Sequence, residues 1–232
     1  MKTITLSILT ILISFLTPYN TEMEVVFKNK GVTISTNSSY EVLEFSPKYF
    51  EFGVSEGRPT NSDFYINSNY FYAGGEPMGM VVIDGKKKYG KRKYGGSFYV
   101  KNGKPYVRSN YCPSSSEYCS QSVFWALNDG KINNFGLSEN HAKIKVLRTL
   151  IGENEKGQII LIVSKIRLDA KTIVEFGETY NLVDAIFCDG GTSVDYYFKT
   201  DGYCSIFKAW SDGIKSMVGI DQPPIYISGN FK

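Results

Sequence analysis

Residues 184–193 run Asp-Ala-Ile-Phe-Cys-Asp-Gly-Gly-Thr-Ser, a short apolar segment that delivers one carboxylate, Asp189, into two glycines and two hydroxyl residues. That combination suits chemistry. A carboxylate at the carboxyl end of a buried strand stands where open sheets place ligands, and Gly190 and Gly191 let backbone N–H groups approach an anionic or sugar oxygen closely. Thr192 and Ser193 add hydroxyl donors. The same spacing also describes a strand closed by a tight Asp-Gly-Gly turn with no chemical role.

The elements that would position Asp189 lie just upstream. Arg148, Thr149 and an apolar segment to Gly152 are followed by a polar, Gly-ended turn over 153–157 and then by the apolar run Ile-Ile-Leu-Ile-Val at 159–163. Two apolar runs of strand length joined by such a loop predict a β-hairpin. Thr172 and Glu175 have the spacing of a capping box, and Ile173, Phe176, Gly177 and Tyr180 recur at helical intervals, which predicts a helix over 171–182. Strand 158–164, this helix and strand 185–189 then form a β-α-β unit. Its crossover makes the two strands parallel and brings Asp189 to the same edge as the end of the 159–163 run.

Further motifs stand in a recognisable order: Asn67-Ser-Asn69-Tyr70-Phe71, Pro77-Met-Gly79, Val82-Ile83-Asp84-Gly85, Leu127-Asn-Asp-Gly-Lys131, Arg148-Thr149 with Gly152, Thr172 with Glu175, and Asp189-Gly190-Gly191-Thr192-Ser193. In this order the chain resembles the phosphodiester glycosidase family over residues 40 to 225. The resemblance implies hydrolysis of a sugar-1-phosphate diester on the glycosidic side, with no cofactor and no metal. On that reading Arg148 grips the phosphate, since a guanidinium stays charged and binds phosphate oxygens bidentately. Asp189 serves as an anion beside the anomeric carbon or as a base for water. Gly190, Gly191, Thr192 and Ser193 supply donors, Asn67 and Asn69 read the sugar, and Phe71 and Thr149 line the same binding site. The chain departs from the family pattern where Phe187-Cys188 replaces an Asn-Leu pair and Thr192 replaces a glycine, which removes one polar group and adds a Cβ where a positive φ is expected.

Composition bounds the remaining possibilities. A chain of 232 residues with 42% hydrophobic and 15% aromatic content can bury one full core, and a net charge of +3 gives no case for nucleic acid as a partner. Lys2 followed by an apolar stretch over 4–16 predicts a signal peptide over 1–22, a domain over 23–232, and a secreted or otherwise extracytoplasmic protein without a stable membrane span after processing. An uncleaved membrane anchor is the competing expectation. Cys112, Cys119, Cys188 and Cys204 all fall in the exported part, so bridges are favoured, with Cys112–Cys119 and Cys188–Cys204 preferred among three possible pairings. A reactive Cys188 thiolate, a calcium loop using Asp189 and Asp195, and a cleft role for the single histidine, His141, are weaker alternatives. The charge run over 86–94, Lys-Lys-Lys-Tyr-Gly-Lys-Arg-Lys-Tyr, is a solvated hairpin arm or, for a polyanionic substrate, an electrostatic collar.

Strands are expected at 24–27, 32–34, 40–45, 49–54 and, behind Pro223-Pro224, at 225–227, because these segments are β-branched and aromatic. Many strands with a single clear helix predict an α+β domain built on a mixed sheet, with the β-α-β unit carrying the Asp-Gly-Gly loop. Two classes of function fit: an exported glycosidase acting on a phosphorylated glycan or sugar phosphodiester, and a non-catalytic binder of phosphoglycan or cell-envelope polymer that uses an open groove lined by Tyr70, Tyr72 and Tyr196.

Overall fold

A computed structural model describes residues 22–90, 95–108, 112–122, 124–132, 139–209 and 223–232. All but the last residue of the expected signal segment, and the second half of the basic run at 91–94, lie outside the described residues. Among those described, the chain is mostly β, with strands in three sheets and two short helices.

The eight-stranded sheet contains β1 (Glu24–Lys28), β2 (Val32–Thr36), β3 (Tyr40–Phe45), β14 (Ile159–Ser164), β13 (Thr149–Asn154), β15 (Leu182–Cys188), β11 (Trp125–Asn128) and β12 (Lys131–Ile132), in that spatial order. A five-stranded sheet orders β17 (Tyr203–Lys208), β16 (Asp195–Thr200), β5 (Phe64–Asn67), β18 (Ile225–Phe231) and β4 (Phe50–Glu56). The third sheet orders β7 (Lys86–Tyr89), β6 (Val81–Ile83), β10 (Tyr118–Gln121), β8 (Ser97–Lys101) and β9 (Lys104–Arg108).

The expected mixed sheet is not what forms, because every pair of hydrogen-bonded strands described is antiparallel. The expected β-α-β unit is split. β14 and β15 do run in the same direction, but β13 lies between them and pairs antiparallel with both. The continuous apolar run of β14 therefore reports burial on both faces rather than parallel pairing. Ile159, Leu161 and Val163 face the core shared with the five-stranded sheets, while Ile160 and Ile162 face the helix. Alternation in β15 is the same: Ile186 and Cys188 point to the first core, and Ala185 and Phe187 to the second.

Helix α1 (Glu139–Lys143) is one short turn and a half, and helix α2 (Ala170–Glu178) covers the outer face of the eight-stranded sheet with Ile173, Val174 and Phe176. Phe176 stacks on Tyr40 with ring centroids 3.8 Å apart. α2 begins three residues earlier than an N-cap at Thr172 would place it, since Asp169 and not Thr172 is the N-cap. The Asp169 carboxylate accepts from both the Thr172 N–H and its hydroxyl, each at 2.9 Å. Glu175 is left to pair with Lys171 on the exposed face at 3.2 Å.

Candidate functional site

Antiparallel pairing of β13 with β15 places Thr149 opposite Cys188, so Arg148 and Asp189, each one residue beyond its strand, emerge at the same end of the sheet. Thr149 also faces Val163 of β14, and beyond that pair Ser164 bonds Arg148 twice. The Ser164 N–H donates to the Arg148 carbonyl at 2.9 Å, and the Arg148 N–H donates to the Ser164 hydroxyl at 2.7 Å. The strand register alone therefore brings together two residues 41 positions apart in sequence.

The backbone of Asp189 is held from three sides. Its N–H donates to the Ser68 carbonyl at 2.9 Å, and its carbonyl accepts from the Asn67 amide at 3.2 Å and from the Thr149 hydroxyl at 3.3 Å. Behind it, Gly190 runs against the Leu147 carbonyl, and a Cβ there would come within 2.6 Å of that oxygen. Gly191 turns with φ +66° and donates its N–H to the same carbonyl at 2.7 Å. Gly191, Thr192 and Ser193 then form a single 3-10 turn. The positive φ thus falls on Gly191 and not on Thr192, so the threonine, exposed on the turn, costs no backbone strain.

The Asp189 carboxyl is 8% exposed. Burial pushes its pKa up to about 7, against the opposing pull of hydrogen bonds from the Ser193 hydroxyl and the Gly190 N–H. Near neutral pH such a group exchanges a proton readily, which an ordinary surface carboxylate does not. Tyr70 is the residue that links it to Arg148. Burial raises the Tyr70 phenol, the Asp189 charge raises it further, and a hydrogen bond from Arg148 opposes both. Its ring packs edge-on against Phe124 at 4.8 Å.

Arg148 is buried, and its guanidinium is depressed below its ordinary value by loss of solvent. Nη2 donates to the carbonyls of His141 at 2.7 Å and Ile144 at 2.9 Å, so the short helix α1 and its exit anchor the arginine. Nε is buried with no hydrogen-bond partner. With Nη2 engaged, the fork expected to grip phosphate bidentately has one arm already occupied. His141 contributes its carbonyl to this anchor, and its side chain is exposed.

Other sequence-derived candidates take different places. Asn67 is fully buried, and its Oδ1 accepts from the Asp195 N–H at 2.8 Å while its Nδ2 holds Asp189. Asn69 is likewise buried, donating to the Gln121 carbonyl at 2.8 Å and accepting from the Ser68 and Ser120 hydroxyls. Both amides face protein rather than an open cleft. Phe71 is half-buried and forms a β-bridge with Pro77. The Asp195 carboxylate receives Arg58 Nε at 3.0 Å and the Tyr226 hydroxyl at 2.6 Å, contacts of an internal ion pair rather than of a calcium loop. Tyr196 is 1% exposed with its hydroxyl on Glu41 at 2.8 Å, so it lines no groove.

Cys112 and Cys119 form a disulfide, as expected. Cys188 and Cys204 do not: Cys188 is buried between sheets, whereas Cys204, on the edge strand β17, is exposed. Burial and the neighbouring Asp189 push the Cys188 thiol up, away from a reactive thiolate.

Ser68 was not among the site residues expected from sequence, and Tyr70 was expected only as lining of an open glycan-binding groove. Tyr70 lies inside the Asn-x-x-Tyr-Phe motif, and its position directly after Asn69 was the available signal. The contribution of Ser68 is a backbone carbonyl, which no side-chain pattern encodes.

Fold and site together describe a mostly antiparallel β protein with a buried carboxyl of raised pKa and an anchored arginine at one sheet end. The phosphodiester glycosidase family matches residues 60–220, about two thirds of the chain, and the protein belongs to that family. No curated protein matches. Among solved structures, the catalytic domain of zebrafish N-acetylglucosamine-1-phosphodiester alpha-N-acetylglucosaminidase, auto-inhibited by its pro-peptide, is similar with TM-score 0.63 at 15% identity, over 91% of this chain and 82% of that one. A hypothetical protein from Synechocystis is similar with TM-score 0.61 at 11% identity, over 94% of this chain and 64% of that one. At these identities the likeness is one of fold.

Proposed function

We propose that the protein is an exported glycosidase that hydrolyses sugar-1-phosphate diesters, with Asp189 acting at the anomeric centre. The observation that carries this reading is the buried Asp189 carboxyl with a pKa of about 7, held by Ser193 and Gly190 at the sheet end that also presents Arg148 and Tyr70. In the reaction a water oxygen bonds to the anomeric carbon while the bond from that carbon to the phosphate oxygen breaks. The departing phosphate monoester takes the electron pair, and the water proton passes to the Asp189 carboxylate. A phosphate monoester leaves readily, so orientation and charge stabilisation suffice. Arg148 is the nearby cation for the phosphate, placed at the same sheet end as Asp189 while its Nη2 remains tied to the backbone. Tyr70 hydrogen-bonds Arg148 and feels the charge of Asp189, which couples the two groups. Export would follow from the N-terminal signal segment.

The test is a screen of sugar-1-phosphate diesters with product detection, comparing the native chain with Asp189→Asn. Hydrolysis by the native chain that is lost in the variant supports the reading. Hydrolysis that survives the substitution rejects the role of Asp189, and micromolar glycan binding without hydrolysis assigns the protein to the non-catalytic binding class.

A further inference from the structure

We propose that Asn67 is a positioning residue, not a sugar-reading one, and that it sets the active geometry of Asp189 by bolting the five-stranded sheet to the eight-stranded sheet at the site. The proposal rests on the reading of Asp189 as the acting group. Asn67 ends β5, one residue beyond the Ile66–Tyr196 pair through which β5 bonds β16. There its Oδ1 takes the first N–H of β16, that of Asp195, at 2.8 Å, while its Nδ2 crosses to the Asp189 carbonyl at 3.2 Å. A side-chain amide accepts from an N–H at one atom and donates to a carbonyl from another without bringing a charge. The side chain is 0% exposed, so both bonds are made away from water and neither end is open to a ligand.

The rest of the local network fits this role. Ser68, the next residue, accepts the Asp189 N–H, so one turn of chain after β5 grips Asp189 at both its N–H and its carbonyl. Thr149 adds a second donor to the same carbonyl from β13. On the far side, Asp195 is itself fixed by Arg58 and Tyr226, which makes the anchor of Asn67 rigid. The charged and titratable groups facing Asp189 among the described residues are Tyr70, from the segment after β5, and Cys188, its own neighbour, while Arg148 reaches it through Tyr70. Asn67 carries no charge, so its influence on Asp189 passes through backbone position alone.

The experiment follows the titration of Asp189 in Asn67→Ala and in Thr149→Val, using the pH dependence of unfolding stability relative to each variant combined with Asp189→Asn. In the native background this difference reports the raised carboxyl. In Asn67→Ala the midpoint should fall by about one pH unit as the loosened carboxyl reaches solvent, and in Thr149→Val it should fall by less, because Asn67 still ties the Asp189 carbonyl to the Asp195 N–H. On a sugar phosphodiester that the native chain cleaves, Asn67→Ala should lower kcat with KM nearly unchanged. An unmoved midpoint in Asn67→Ala, or a rise in KM with kcat intact, overturns the proposal. If Asn67→Ala does not fold, Asn67→Ser, whose short side chain cannot span both partners, takes its place, and an unmoved midpoint there overturns the proposal. Full activity in Asp189→Asn rejects the catalytic reading on separate grounds, because the titration measurement needs no substrate.

Discussion

Replacing Asp189 by Asn should make this protein more stable, and the gain should depend on pH in a defined direction. The folded state raises the carboxyl from 3.8 to about 7. Between those values the unfolded chain has released the proton and the folded chain still holds it, so the native stability falls as pH rises through this window and levels off above about 7. A shift of about three units at 1.36 kcal/mol each corresponds to about 4 kcal/mol at pH 8. Asparagine keeps an acceptor for Ser193 and Gly190 but loses the charge-assisted strength of those bonds, which brings the expected gain to about 2 to 4 kcal/mol. For a chain of this size that is a rise in Tm of roughly 5–15 °C at pH 8, shrinking to nearly nothing below pH 4. Thermal and denaturant unfolding of both proteins from pH 4 to 8 measures it. A variant less stable than the native chain at pH 8, or a difference that does not change with pH, would refute the claim that burial holds this carboxyl at high pKa.

Other outcomes follow from the same geometry. With Asp189 as the base, kcat/KM on a cleaved sugar phosphodiester should fall as pH drops through about 7, and a profile flat from pH 5 to 8 contradicts that role. Arg148→Lys loses the two carbonyl anchors as well as the planar fork, so KM should rise and kcat should fall on the order of tenfold or more, measured by steady-state kinetics. Tyr70→Phe should lower kcat on the order of tenfold while changing stability by about 1 kcal/mol or less, since the ring contact with Phe124 survives and only the hydroxyl is lost. Alkylation of the native protein should label Cys204 and leave Cys188 untouched until unfolding, and non-reducing digestion should link the peptides of Cys112 and Cys119. Mass spectrometry of exported protein should find roughly the first 17 to 24 residues removed.

Much of the strand content was legible in the chain, because β-branched and aromatic runs bounded by Gly, Asn and Asp carry their own local signal. The hairpin of β13 and β14 and the strands β1 to β4 all fall within a residue or two of where pattern placed them. The Asp-Gly-Gly segment and Arg148 were also marked by residue type alone. Tertiary structure decided what those residues face. The insertion of β13 between β14 and β15 turned an expected parallel unit into an antiparallel one, since strand order depends on contacts between segments that are distant in sequence. Cys188 and Cys204 stay apart because alternation points one thiol into the core and the other to solvent, on strands of different sheets. Asn67 and Asn69 carry the polarity of sugar-binding residues, yet their amides close backbone hydrogen bonds in the interior. Most of all, the raised pKa of Asp189 is a property of its burial and not of its type. The sequence determined which residue carries the carboxylate, and the packing of three sheets determined that it holds a proton near neutrality.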